Sequence, residues 1–137
     1  MEVKGKNLRL IVMDNFEEFG RKVDGHLKVM RHIEDEDATF IVPVKITRFS
    51  SGEGKAEIMD TIRAQDVYIL TDVMNYDCTY KMRGFINHKS PDDHYQELKR
   101  VISAMDGAED SLKVIMPFLY ESRQHKRKGR ESKDCSE

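Results

Sequence analysis

Short apolar runs alternate with helix-patterned segments along this chain, and that alternation restricts the fold more than any other feature. Residues 8–13 (Leu-Arg-Leu-Ile-Val-Met) suit a strand. Asp14 and Asn15 then offer N-cap side chains, and Glu17 and Glu18 fall in a first turn, where the helix dipole favours anions. Phe16, Phe19, Val23, Leu27 and Met30 follow at spacings of three and four, which predicts a helix with one apolar face. The acidic run Glu34-Asp35-Glu36-Asp37 ends it as a solvated turn. Residues 66–73 (Asp-Val-Tyr-Ile-Leu-Thr-Asp-Val) read as a buried strand. Ser90-Pro91-Asp92-Asp93 opens a second helix: serine caps, proline suits the first helical position, and two acids meet the positive end of the dipole. Tyr95, Leu98, Val101, Ile102 and Met105 form its buried stripe, Gly107 stops it, and residues 111–119 make a last strand. Strand and helix in this order predict an α/β fold with a mostly parallel sheet.

A hairpin interrupts the alternation. Residues 40–47 are β-rich, with Pro43 marking an edge or a strand boundary. Ser50-Ser51-Gly52-Glu53-Gly54 makes a turn, and residues 55–59 return as a second strand. Residues 75–89 show no clean period and read as an irregular insertion. At 137 residues the chain fits one domain with a hydrophobic core, taken as residues 1–122, followed by a basic, flexible tail over 123–137.

Charge is unevenly spread. Residues 1–120 carry 17 Lys+Arg against 21 Asp+Glu, whereas residues 121–137 carry 6 against 4. An acidic body with a basic appendage argues against a general nucleic-acid binder. No apolar stretch approaches the roughly 20 residues that span a bilayer, and the N-terminus lacks a signal-like core. Cys78 and Cys135 form no CxxC pair, so a reducing cytosol is the default compartment.

Two segments carry candidate chemistry. After the last strand come Arg123, Gln124, His125, Lys126, Arg127, Lys128 and Arg130, a cationic loop with nothing apolar to bury. Arginine suits phosphate oxygens through its fork and lysine supplies a point charge, so the loop reads as a phosphate or nucleotide contact, a polyanion-binding tail or a solvated end. In the turn at 48–53, Phe49 either folds onto the core or waits for a partner to stack on, and Ser50, Ser51 and Glu53 could hydrogen-bond a base or ribose. Cys78, His88 and His94 have no recognised metal-ligand spacing. His26 and His32 fall off the first helix's apolar stripe and are expected to face solvent.

Arg48-Phe49-Ser50-Ser51-Gly52-Glu53 resembles the Arg-Phe-Ser-Asp-Gly-Glu segment of the ribose-phosphate pyrophosphokinases, the phosphoribosyl pyrophosphate synthetases. Residues 60–70 resemble the Arg-Gly-x-Asp-Val-x-Ile stretch that follows it there, and residues 95–106 the neighbouring helix. Residues 114–124, ending Tyr-Glu-Ser-Arg-Gln, are similar to the family's Pro-Tyr-x-x-Tyr-x-Arg-Gln-Asp-Arg-Lys segment. The resemblance covers roughly residues 45–130 in the family's order. It implies a phosphoribosyltransferase-like three-layer α/β fold with an inserted β-hairpin. It also implies transfer of a pyrophosphoryl group from Mg·ATP to ribose 5-phosphate, giving phosphoribosyl pyrophosphate for nucleotide biosynthesis.

By the same resemblance, Phe49, Ser51 and Glu53 would contact the adenine bound by a neighbouring subunit of a homo-oligomer. Arg123 and Gln124 would hold ATP on the subunit's own side, with Lys126 and Arg127 near the phosphates. Two family aspartates are replaced here, by Ser51 and His125. Nothing matches the family's acidic, glycine-rich ribose-phosphate loop, so the chain is expected to be the N-terminal, ATP-binding half, without catalytic or metal-ligating residues of its own. The alternative is a non-catalytic regulatory homologue that associates with active enzyme.

Overall fold

The computed structural model describes residues 7–123 and 126–132. Its centre is a parallel three-stranded sheet of β1 (Leu8–Val12), β4 (Asp66–Leu70) and β7 (Ser111–Ile115), in the order β1-β4-β7. The register sets Leu8 opposite Asp66 and Asp66 opposite Ser111. Between β1 and β4 the chain runs through a 3-10 turn (Asp14–Phe16), α1 (Glu17–Met30) and a hairpin of β2 (Val44–Arg48) and β3 (Gly54–Ile58). Between β4 and β7 come a second hairpin, β5 (Thr79–Met82) with β6 (Phe85–His88), and α2 (Pro91–Met105).

Alternation along β1 divides the molecule into layers. Ile11 and Met13 point to one face, where they join Val67, Ile69, Leu98, Val101 and Met105 in the main core under α2. The β2–β3 hairpin closes that core from outside, adding Val44, Ile46, Ala56 and Ile58. Val12 points the other way, to α1. Helix and strand approach so closely there that a Cβ on Gly20 would lie 2.3 Å from a Val12 methyl, so only glycine fits.

The second helix starts as its sequence predicts. The Ser90 hydroxyl accepts from the Asp93 amide at 3.2 Å, the Asp93 carboxylate accepts from the Ser90 amide at 2.9 Å, and Pro91 holds the first position. The left-handed Asp106 (φ 54°) and Gly107 (φ 67°) end it.

Four expectations change. Residues 79–88 of the supposed irregular insertion form an ordered hairpin, because Arg83 (φ 51°) and Gly84 (φ 81°) both take the positive φ of a tight two-residue turn. The last strand ends at Ile115 rather than 119, ahead of Pro117, which has no amide to donate. The strand expected over 40–47 is split at Pro43: Ile41 makes a parallel bridge to Leu10, and β2 begins beyond the proline. The apolar face of α1 is only partly covered, with Phe19 43% and Met30 73% exposed. Among the described residues, no helix is long and apolar enough to cross a membrane.

Candidate functional site

The turn between β2 and β3 is held by its own backbone. The Phe49 amide donates to the Glu53 carbonyl at 2.8 Å and the Gly52 amide to the Phe49 carbonyl at 2.9 Å, with Gly52 at φ +95°. The Ser51 hydroxyl donates to the Glu53 carboxylate at 3.0 Å, which orients that acid. Phe49 is 46% exposed, so its ring does not fold onto the core and keeps a free face. The β5–β6 hairpin braces the turn from one side, with Arg83 Nε donating to the Ser50 carbonyl at 2.9 Å.

Arg48, at the base of the turn, is the most heavily engaged cation in this region. It pairs with Asp93 at 3.5 Å and Glu97 at 3.7 Å, donates to the Gly52 carbonyl at 3.4 Å, and lies 4.1 Å from the centroid of the Tyr80 ring. The last segment leaves the sheet through Tyr120, whose hydroxyl donates to Asp92 and whose ring meets Tyr95 edge-on at 5.4 Å. The Asp92 carboxylate, with some burial, pushes the Tyr120 phenol up to about 12. Arg123, Lys126 and Arg127 are exposed. Gln124 and His125 lie outside the described residues.

Behind the turn lies a charged cluster that sequence reasoning missed. Glu97 is 1% exposed and accepts from Lys89 at 3.0 Å on one oxygen while its other oxygen faces Arg48. Lys89 also donates to Asp14 at 2.5 Å. These groups line a cleft of about 400 Å³ between the end of β1, β2 and β5, with Val12, Val44 and Ile46 on its apolar side. Beside them His94 is fully buried: its Nε2 donates to the Asn75 carbonyl at 2.7 Å and its Nδ1 accepts from the Asn15 amide at 3.1 Å. Asn15 continues the network to Thr71 and to the Asp72 amide.

Asp14, His94 and Glu97 bring their ligand atoms within 4.8 Å of one another, a spacing a metal could use. Here an ammonium does the work of a cation: Lys89 bonds both carboxylates, and both His94 nitrogens have protein partners. Cys78 and His88 do not join this group. His88 Nδ1 is paired with the Tyr76 carbonyl at 2.8 Å. Burial, then the Asp14 carboxylate, pushes the Cys78 thiol up to about 11, which keeps it protonated and unreactive at neutral pH.

The pairing also sets a pH dependence. Burial works against the Lys89 charge, but Asp14 and Glu97 outweigh it and hold the ammonium above its usual 10.5. Burial likewise raises Asp93, but the Ser90 donors and Arg48 win and leave it below 3.8. A raised lysine contributes stability that is complete below 10.5 and lost as pH climbs through the folded value. A depressed aspartate contributes above 3.8 and is lost as pH falls through its folded value. Urea midpoints measured against pH are therefore expected to fall at both ends, with Lys89→Met weakening the alkaline limb, to which the raised Cys78 and Tyr120 also contribute, and Asp93→Asn weakening the acid one.

A family model for the N-terminal domain of ribose phosphate pyrophosphokinase matches residues 8–136. The chain belongs to this family. Among solved structures it is similar to phosphoribosylpyrophosphate synthetase from Mycobacterium smegmatis, at TM-score 0.64 and 20% identity. That match covers 93% of this chain and 35% of the other, so the chain spans about a third of its relative's length, and at this identity the likeness bears on the fold. No curated protein matches.

Within the pyrophosphokinase domain fold, the two segments singled out in the sequence lie at the same end of α2. Asp92 contacts the one that leads to Arg123, and its neighbour Asp93 contacts the one that carries Phe49 and Glu53. His94 and Glu97 could have been found from spacing: His94, Leu98, Val101 and Met105 recur at four, three and four along α2, and all are buried.

Proposed function

We propose that this chain is the ATP-binding half of a ribose-phosphate pyrophosphokinase. The observation that carries the reading is Phe49, an aromatic ring left open on a turn whose backbone is pinned and whose Glu53 is already oriented. Such a turn offers a stacking face and a carboxylate for a base without further ordering. Arg123, Lys126 and Arg127, with Gln124 between them, would address the phosphates, as an arginine fork and lysine point charges do well.

In the complete enzyme the anomeric hydroxyl oxygen of ribose 5-phosphate attacks the β-phosphorus of ATP. A new P–O bond forms, the bond to the α-phosphate oxygen breaks, AMP leaves, and the hydroxyl proton is released. Catalysis of this kind is mostly positioning and charge neutralisation, which a cationic segment supplies. Magnesium would arrive on the nucleotide's phosphates. The Asp14–His94–Glu97 cluster does not suit it, because Lys89 already neutralises both carboxylates. Nucleotide sites shared between copies in a cytoplasmic homo-oligomer, and ribose 5-phosphate bound outside this half, complete the reading.

A regulatory homologue is the second reading. Ser51 favours it, because a hydroxyl spent on Glu53 cannot replace the family's aspartate as a carboxylate acceptor.

Calorimetric titration with Mg·ATP at moderate salt is expected to give saturable binding. Arg123→Ala should weaken it by roughly tenfold or more, since a hydrogen bond to a charged group contributes about 1.5–3 kcal/mol. Equal binding by both proteins would remove Arg123 from the site. Equal affinity for any polyanion would favour a nonspecific basic tail.

A further inference from the structure

Two neighbouring aspartates at the start of α2 make contacts that the helix itself does not need. Asp93 closes the capping box with Ser90, yet it also takes Arg48 from 45 positions away. Asp92 has no part in that box, and its carboxylate accepts the hydroxyl of Tyr120, 28 positions away. Adjacent residues sit about 3.8 Å apart along the backbone, so both distant segments are tied to one small, stiff piece of structure. Each tie has a second component on or beside the same helix. The Tyr120 ring packs edge-on against Tyr95, and the Arg48 Nη2 that meets Asp93 is shared with Glu97.

We propose that the first turn of α2 is the common anchor of both nucleotide-contacting segments, with Asp92 and Asp93 as positioning residues. Asp92 fixes the path into Arg123 through Tyr120, and Asp93 fixes the 48–53 turn through Arg48. The proposal rests on the nucleotide-binding reading above. Its physical basis is preorganisation: among the described residues beyond Ile115 there is no helix or strand, so an untethered Arg123 would have to be ordered by the ligand at the expense of affinity. Tethering at Tyr120, three residues earlier, removes most of that freedom.

The test uses the whole 137-residue chain and Mg·ATP as the probe. Asp92→Ala and Tyr120→Phe are each expected to weaken binding roughly three- to tenfold, the equivalent of one or two side chains that must now be ordered on binding. The double variant should bind no more weakly than either single one, and Asp92→Ala should add nothing in an Arg123→Ala background. Asp93→Asn should behave in the same way with Phe49→Ala. Alkaline absorbance titration supplies a second readout, taken together with circular dichroism because unfolding would also free the phenol. The phenol held at about 12 should return toward the ordinary tyrosine range in Asp92→Ala, while circular dichroism stays native.

Losses that add in full across these pairs, or a tyrosine titration that Asp92→Ala leaves unmoved, would overturn the anchor while leaving the nucleotide site standing. A wild-type chain that binds no Mg·ATP would overturn the nucleotide reading and this proposal together.

Discussion

Glu97→Ala is expected to lower the unfolding free energy by about 3–5 kcal/mol, the usual cost of breaking a buried ion pair from one side. Glu97 is 1% exposed and stands between two cations, Lys89 on one oxygen and Arg48 on the other. Removing it leaves the Lys89 ammonium, itself buried, with only Asp14. Arg48 keeps Asp93 and the Gly52 carbonyl and should shift less. Lys89→Met should be costly for a related reason, since it leaves the buried Glu97 carboxylate with only Arg48, at 3.7 Å. The double variant Lys89→Met/Glu97→Leu should recover much of the loss, because well-packed apolar groups replace a buried pair at little net cost. Asp14, whose side chain is 40% exposed, can return to water. Urea unfolding of the wild type, Lys89→Met, Glu97→Leu and the double variant gives the cycle directly, provided the m-values agree. A Glu97→Ala loss under 1 kcal/mol, or a double variant as unstable as the sum of the singles, would mean that these charges are hydrated rather than paired.

His94→Phe should cost about 2–5 kcal/mol although it conserves bulk. Two partners lose their hydrogen bonds, the buried Asn15 side-chain amide and the part-buried Asn75 carbonyl, and an unsatisfied buried group carries about 1–3 kcal/mol. His94→Gln, which can present a donor and an acceptor, should recover part of the loss. The consequence reaches beyond α2, because Asn15 also receives the Asp72 amide at 2.9 Å and so holds together the C-terminal ends of β1 and β4. Amide hydrogen exchange should therefore quicken around 71–75 in His94→Phe before it does in β7. Uniform acceleration over the whole chain would contradict this, because it would indicate global destabilisation without a local tie.

The parallel sheet and the start of α2 were legible because local signals and tertiary structure agree there: apolar runs bounded by breakers, and a Ser-Pro-Asp-Asp entry that satisfies its own backbone. The β5–β6 hairpin was not legible. Its turn uses Arg83 at positive φ, where asparagine or aspartate would have announced it, and Phe85 and Ile86, both over 70% exposed, break the alternation that a half-buried strand should show. Glu97 was overlooked, and His94 was weighed only as a metal ligand, because a charged and a titratable residue on an apolar stripe look like interruptions. Their partners, Lys89, Arg48 and Asn15, come from three other parts of the chain. The α1 stripe failed in the opposite sense: its pattern is amphipathic, yet much of that face remains open to solvent. At the candidate site, the 48–53 turn was singled out from its residue types alone. What the sequence did not contain was the way Ser51 is spent on Glu53, or that Arg48 faces inward to α2.

The nucleotide reading is tested most directly by amide chemical shifts of the isotopically labelled chain during titration with Mg·ATP, set beside the same titration with Mg-bound inorganic triphosphate. The account predicts saturable shifts at 49–53 and 120–127 with ATP, and shifts with triphosphate that are restricted to 120–127, because only the nucleotide carries a base for Phe49 to meet. Identical shift patterns for the two ligands, or shifts that leave 49–53 unmoved at saturation, would contradict it.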